Sequence, residues 1–273
     1  MDLIKKPTGI DSLDQVLRGG LPCGSLVLLL GETGAGDFEF MVSSIARLLR
    51  MPRQNGINIP NKVCYISFTR GKEDILKEVA LSFPEFYKVM KDRLEFKDFS
   101  NAFFAQSFIP VNWRLSQKKE LTFESLRWDK EEEDLMAGLI DYLDKNAKDS
   151  IVVIDSLTVL VQYCLSRMEW KDLIIFLRGL QKASKQWEGI VYAMLCEGIF
   201  EKGKQEEIQE CVDGVMAFEW DKQETSKRQR IMYFKKFRGL LPILDESNIV
   251  NFETQISSQR GFEVSNIKTV RGR

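Results

Sequence analysis

Short apolar runs alternate along this chain with longer stretches in which apolar positions recur every three or four residues. The runs have strand length and the stretches have helix length, an alternation that builds a parallel sheet covered by helices. SLVLLLG, from Ser25 to Gly31, predicts a buried strand, and DFEFMVSSIARLLR, from Asp37 to Arg50, the helix that follows it. KVCYISF (Lys62 to Phe68) predicts the next strand, followed by a helix from Lys72 to Phe83. The charged stretch KEEEDLMAGLIDYLDKNA predicts a helix ahead of the strand SIVVIDS (Ser150 to Ser156). A helix from Leu173 to Trp187 and a strand GIVYAML (Gly189 to Leu195) come next. Past Cys211 the helical period fades, and GVMAFEW and QRIMYFKKF predict strands of a hairpin or meander. No linker rich in Pro, Ser or Gly divides the chain and no repeat is present, so one domain over residues 1–273 is expected. Between Phe99 and Trp128 aromatic residues interleave with polar ones, and an irregular surface insertion is expected there.

Composition then narrows the function classes. A chain of 273 residues, 44% of them hydrophobic, is long enough to bury a full core. Its 39 Lys and Arg nearly balance 40 Asp and Glu, so no global field recruits nucleic acid or an anionic membrane, and such a partner needs a local patch. Cys23, Cys64, Cys164, Cys196 and Cys211 are scattered without C-x-x-C spacing, which fits buried thiols in a reducing cytoplasm. No apolar run approaches the length of a membrane span, and the N-terminus carries no export-type apolar segment. Histidine is absent, which removes the usual general base and the commonest metal ligand. Zinc chemistry and Ser-His-Asp hydrolysis are therefore not expected, and no metal site is assigned.

The most specific string runs from Thr8 to Phe38, TGIDSLDQVLRGGLPCGSLVLLLGETGAGDF. Its glycines and proline at positions 19, 20, 22 and 24 make a tight turn into the first core strand. The ordered series T-G-I-x-x-L-D, then G-G-L-P-x-G-S, then a strand and a glycine loop, resembles the opening of the KaiC/RadA branch of the RecA family. The resemblance implies an α/β RecA-like P-loop fold: a mostly parallel central sheet flanked by helices, with antiparallel strands at the C-terminus. It also implies a nucleotide held by the loop and, in many family members, a hexamer with nucleotide between subunits.

Against that family pattern several residues are exchanged. A phosphate loop reads G-x-x-x-x-G-K-[ST]: its amides cradle phosphate, its Lys neutralises charge, and its hydroxyl holds magnesium. Here Gly31, Glu32, Thr33, Gly34, Ala35 and Gly36 keep the register, but Asp37 stands at the Lys position and Phe38 at the hydroxyl position. A carboxylate near a triphosphate repels each unit charge by about 4 kcal/mol at about 4 Å with an effective dielectric near 20. A helix N-terminus offsets only about 0.3 to 2 kcal/mol of this. Tight Mg-ATP binding is not expected, and ATP or ADP is expected to bind weakly at most. Where the family ends its second strand on a pair of glutamates that polarise water, this chain has Thr69 and Arg70. Glu73 and Asp74 follow, at positions matching the turn and helix start rather than the catalytic pair. Asp155, closing IVVIDS, matches the family's metal-holding aspartate. Two roles stay open for it: half of a metal site, or a strand-end cap touching the loop backbone. KKFRG resembles the K-x-R-G element through which family subunits reach a neighbour's nucleotide, with Lys236 and Arg238 at the matching positions. The exchange of signs at Asp37 and Arg70 raises a further expectation, that Arg70 pairs with Asp37 or holds an anion in the loop; independent drift to solvated charges is the alternative.

Family loops that bind DNA follow the Asp155 strand and the next one. The second, CEGIFEKGKQEEIQEC, sets five glutamates against two lysines and repels a phosphate backbone. The stretch from Lys222 to Arg238 is basic and is the one candidate dock for an acidic face, RNA or a phosphate. Together the residues point to a pseudo-ATPase of the KaiC type that scaffolds or regulates through protein contacts or self-association, with no catalytic residue assigned. A slow ATPase using Arg70, Lys236 and Arg238, and a RadA-like accessory to DNA repair, are the alternatives.

Overall fold

A computed structural model of the chain describes residues 4–52, 58–105, 107, 109, 134–221, 228–246 and 249–269. The described elements run β1 (Lys5–Lys6), α1 (Asp11–Val16), β2 (Leu21–Pro22), β3 (Ser25–Gly31), α2 (Asp37–Arg50), β4 (Lys62–Ser67) and α3 (Lys72–Ser82). They continue through α4 (Pro84–Arg93), β5 (Leu94–Asp98), α5 (Ser100–Phe104), α6 (Leu135–Asn146), β6 (Ser150–Asp155), α7 (Leu157–Leu165) and α8 (Trp170–Trp187). The last are β7 (Ile190–Cys196), α9 (Lys202–Glu210), β8 (Gly214–Trp220), β9 (Arg230–Phe237), α10 (Leu241–Glu246), β10 (Ile249–Ser257) and β11 (Gly261–Thr269).

Nine strands form one sheet in the order β11-β10-β9-β8-β3-β7-β6-β4-β5. From β8 to β5 all neighbours are parallel, and β9, β10 and β11 add on antiparallel. This is the RecA-like α/β architecture that the alternation and the opening string lead one to expect. The sheet separates two apolar layers: Val27, Leu29, Tyr65 and Val153 face one, with Phe40 and Met41 of α2, while Leu28, Leu30, Ile66 and Ile154 face the other, with Leu177 of α8. β3 is buried at every position because helices cover both faces, which is why its sequence is an unbroken apolar run.

Local chemistry sets the boundaries. Pro84 at the first turn of α4 has no amide to lose, so the chain breaks after α3 and starts a new helix. Glu169 and Asp172 form a reciprocal capping box at the start of α8. Ser156 caps α7 by accepting the Val159 amide at 3.3 Å. The acidic stretch read as a loop is helical over Lys202–Glu210. GVMAFEW does pair antiparallel with the following strand, but its other edge is parallel to β3, so it belongs to the central sheet. Of the expected insertion, residues 99–105 hold the short helix α5, and nearly all the rest lies outside the described residues. Among the described residues no helix is long and apolar enough to cross a membrane.

Candidate functional site

The glycine loop joins β3 to α2 at the C-terminal edge of the parallel sheet, the edge where such sheets bind ligands. Gly34 (φ 76°) and Gly36 (φ 109°) both take the left-handed backbone that the tight turn into α2 requires. The loop is braced from outside. The Gly31 carbonyl accepts the Glu197 amide at 2.9 Å, and the Glu32 amide donates to the Phe218 carbonyl at 2.9 Å. Trp220 donates its indole N–H to the Thr33 carbonyl at 3.2 Å and its backbone amide to the Glu32 carboxylate at 3.0 Å. Arg230 donates from Nε to the Gly34 carbonyl at 3.0 Å while its guanidinium carbon lies 4.3 Å from the centroid of the Trp220 ring. Ala35 is fully buried. Sequence reasoning missed Trp220 as a brace and placed Arg230 in a basic docking stretch. A tryptophan ending an apolar strand resembles any core aromatic until the neighbouring strand is known.

Inside the loop, Asp37 folds its carboxyl back over Gly31. A methyl group built on Gly31 would lie 2.5 Å from the Asp37 carboxyl carbon and 2.7 Å from Oδ2. Only glycine leaves that space, and the aspartate occupies it. Burial pushes the Asp37 carboxyl up to about 6; the Asp37 and Phe38 amides it accepts pull the other way, and the charges of Glu39 and Asp155 add to the rise.

Arg70 does not pair with Asp37. Its guanidinium donates from Nη2 to Asp155 Oδ2 at 2.8 Å and from Nη1 to Glu78 Oε2 at 2.6 Å. The correction has a simple cause: β4 and β6 are adjacent and in register, Ser67 opposite Asp155, so the turn after Ser67 lies beside that aspartate. Asp155 is also not a cap on the loop backbone. Among the described residues it accepts from Arg70 and from the phenol of Tyr65, which donates to Oδ2 at 2.5 Å. Burial, reinforced by Asp155, raises the Tyr65 phenol well above its ordinary value, so it stays a neutral donor. Burial opposes the Arg70 charge, but the carboxylates of Asp155 and Glu78 outweigh it and hold the guanidinium more basic than usual. The guanidinium carbon also lies 5.8 Å from the centroid of the Phe38 ring. Glu73 and Asp74 lie in the first turn of α3.

The structure keeps Lys236 and Arg238 away from the loop of their own chain. Gly31 is in register with Phe218, whereas Val215 pairs with Lys236 and Gly214 with Phe237. Three to four strand residues, or roughly 10 to 13 Å, separate the two levels. Lys236 instead donates to the Gln209 and Glu210 carbonyls at 2.9 and 3.2 Å, closing the C-terminal end of α9. The Arg238 side chain is exposed. Of the basic stretch, residues 222–227 lie outside the described residues. Among the described residues no cluster of three or more His, Cys, Asp or Glu side chains could hold a metal ion.

The geometry can be set beside known proteins. The family model described as the KaiC ATPase matches residues 6–257. Over 80 residues, 29% of this chain, it is 31% identical to the circadian clock protein KaiC2 of a Synechocystis strain and to the circadian clock oscillator protein KaiC of Parasynechococcus marenigrum. Those aligned stretches span only 13% and 14% of the two relatives. A crystal structure of a KaiC-like protein from the archaeon Pyrococcus horikoshii superposes with a TM-score of 0.63 at 18% identity. That match covers 97% of this chain and 100% of the other, a likeness of fold.

Proposed function

The chain belongs to the KaiC ATPase family, and from that premise we propose that it is a non-catalytic member which acts through protein contacts, as a regulatory or scaffolding protein. One observation carries the proposal: the Asp37 carboxyl lies against Gly31, inside the loop whose amides would otherwise take a phosphate.

The family implies Mg-ATP, and the side chains of this loop do not fit it. The cradle that glycine leaves open is filled by a carboxylate, which repels a triphosphate. Phe38 offers the metal no oxygen. Asp155 Oδ2 already accepts from both Tyr65 and Arg70. Thr69 cannot take a proton from water at neutral pH, and Arg70 is a permanent cation. Turnover therefore lacks a base as well as a bound substrate.

The acidic helix α9 weighs against a nucleic-acid role, because Glu206, Glu207 and Glu210 lie exposed where a phosphate backbone would approach. The experiment is a turnover assay with radiolabelled ATP and excess magnesium on rigorously purified protein. No hydrolysis above background is expected. Turnover abolished by Asp155→Ala would overturn the proposal.

A further inference from the structure

We infer that Arg70 is a resident cation standing at the position a divalent metal takes in working P-loop sites, an inference that rests on reading the site as non-catalytic. In such sites the ion is held between the hydroxyl that follows the loop lysine and the aspartate that ends a neighbouring strand. Here those two positions are Phe38 and Asp155. The Arg70 guanidinium reaches both: 2.8 Å from Asp155 Oδ2, and 5.8 Å from the Phe38 ring centroid. Phe38 is thus more than a lost ligand. Its ring face is attractive to a flat cation and offers nothing to a hydrated metal ion.

The remaining contacts fit the same role. Tyr65 donates to the same carboxylate oxygen, and Glu78 on α3 holds the outer edge of the guanidinium at 2.6 Å. Two carboxylates hold this one cation, Asp155 and Glu78, and the Asp155 charge adds to the rise of the nearby Asp37 carboxyl. Magnesium bound by one or two carboxylates usually completes its shell with waters and substrate phosphates. A guanidinium is always charged and carries its own donors. The exchange therefore frees the strand end from any dependence on nucleotide: β4, β6 and α3 are tied together by a charge that cannot dissociate.

An ordinary surface ion pair would leave no vacancy that a metal could fill, and that separates the two accounts. Thermal midpoints would be measured for the whole chain and for Arg70→Ala, each with magnesium chloride, manganese chloride, or sodium chloride at matched ionic strength. Arg70→Ala is expected to melt lower than the native chain and to regain about 2 to 4 °C in millimolar magnesium or manganese but not in sodium. The native chain is expected to show no such gain, and Arg70→Ala combined with Asp155→Ala to lose it. Should Arg70→Ala fail to fold, Arg70→Gln keeps the stem and a donor without the charge and takes its place, with manganese binding read by electron paramagnetic resonance. A variant that is destabilised yet indifferent to divalent ions, or a native chain that gains as much as the variant, would overturn the inference. Hydrolysis by the native chain would instead overturn the non-catalytic reading, and the melting series does not measure it.

Discussion

Two carboxylates stand at opposite ends of the central strand β3, and their surroundings differ. At its N-terminal end Asp213, only 6% exposed, accepts the Leu26 amide at 2.9 Å, Lys185 Nζ at 2.6 Å and Gln181 Nε2 at 3.0 Å. At its C-terminal end Asp37 accepts the amides at the start of its own helix, and burial pushes it up to about 6. Burying a carboxylate is thus not unusual in this chain. What is unusual is burying one in a glycine cradle where, among the described residues, no cation pairs with it, while Arg70 is committed to Asp155. The first end is a fully satisfied structural network. The second has a glycine loop with an internal carboxylate set against it.

The largest expected effect breaks the satisfied end. Asp213→Ala leaves the buried Leu26 amide and the Gln181 side chain without their acceptor and Lys185 without its counter-ion. It should cost about 3 kcal/mol, the low end for a broken buried pair because Lys185 is half-exposed. Urea unfolding near neutral pH measures it, and a loss below about 1 kcal/mol would show that the network is redundant.

The next effect has the opposite sign and sharpens the contrast. A carboxyl raised from 3.8 to about 6 in the folded state binds its proton more tightly there than in the unfolded chain. Its contribution is fully favourable below about pH 4 and is lost as pH rises through about 6. Asp37→Asn, which never ionises, should therefore be more stable than the native chain at pH 8, by about 2 to 3 kcal/mol. The gain should shrink to nothing near pH 4. Paired denaturation curves across that range report the difference directly, and a constant offset would mean that Asp37 does not titrate as its surroundings require.

The fold was legible wherever burial on both sides forces an apolar run. β3, β4, β6 and β7 were readable for that reason, and the glycines at 31, 34 and 36 located the loop. β5 was not, because Leu94–Asp98 is a half-exposed edge strand with two apolar residues. α7 was not, because LTVLVQYCL is apolar nearly all round and shows no clear amphipathic period. The exchange of Asp37 and Phe38 could be seen in the string itself. The partner of Arg70 could not. Both candidate aspartates are far away in sequence, and only the registered pairing of β4 with β6 decides between them. The roles of Trp220 and Arg230 depend likewise on which strand edges lie beside the loop.

Whether the loop side chains exclude nucleotide is tested most directly by equilibrium binding of radiolabelled ATP. The native chain should show no saturable binding up to millimolar ATP with magnesium. Asp37→Lys with Phe38→Thr should bind ATP, since the glycine cradle is intact, and this binding should gain a magnesium dependence only when Arg70→Ala is added. Saturable, magnesium-dependent binding by the native chain would contradict the account.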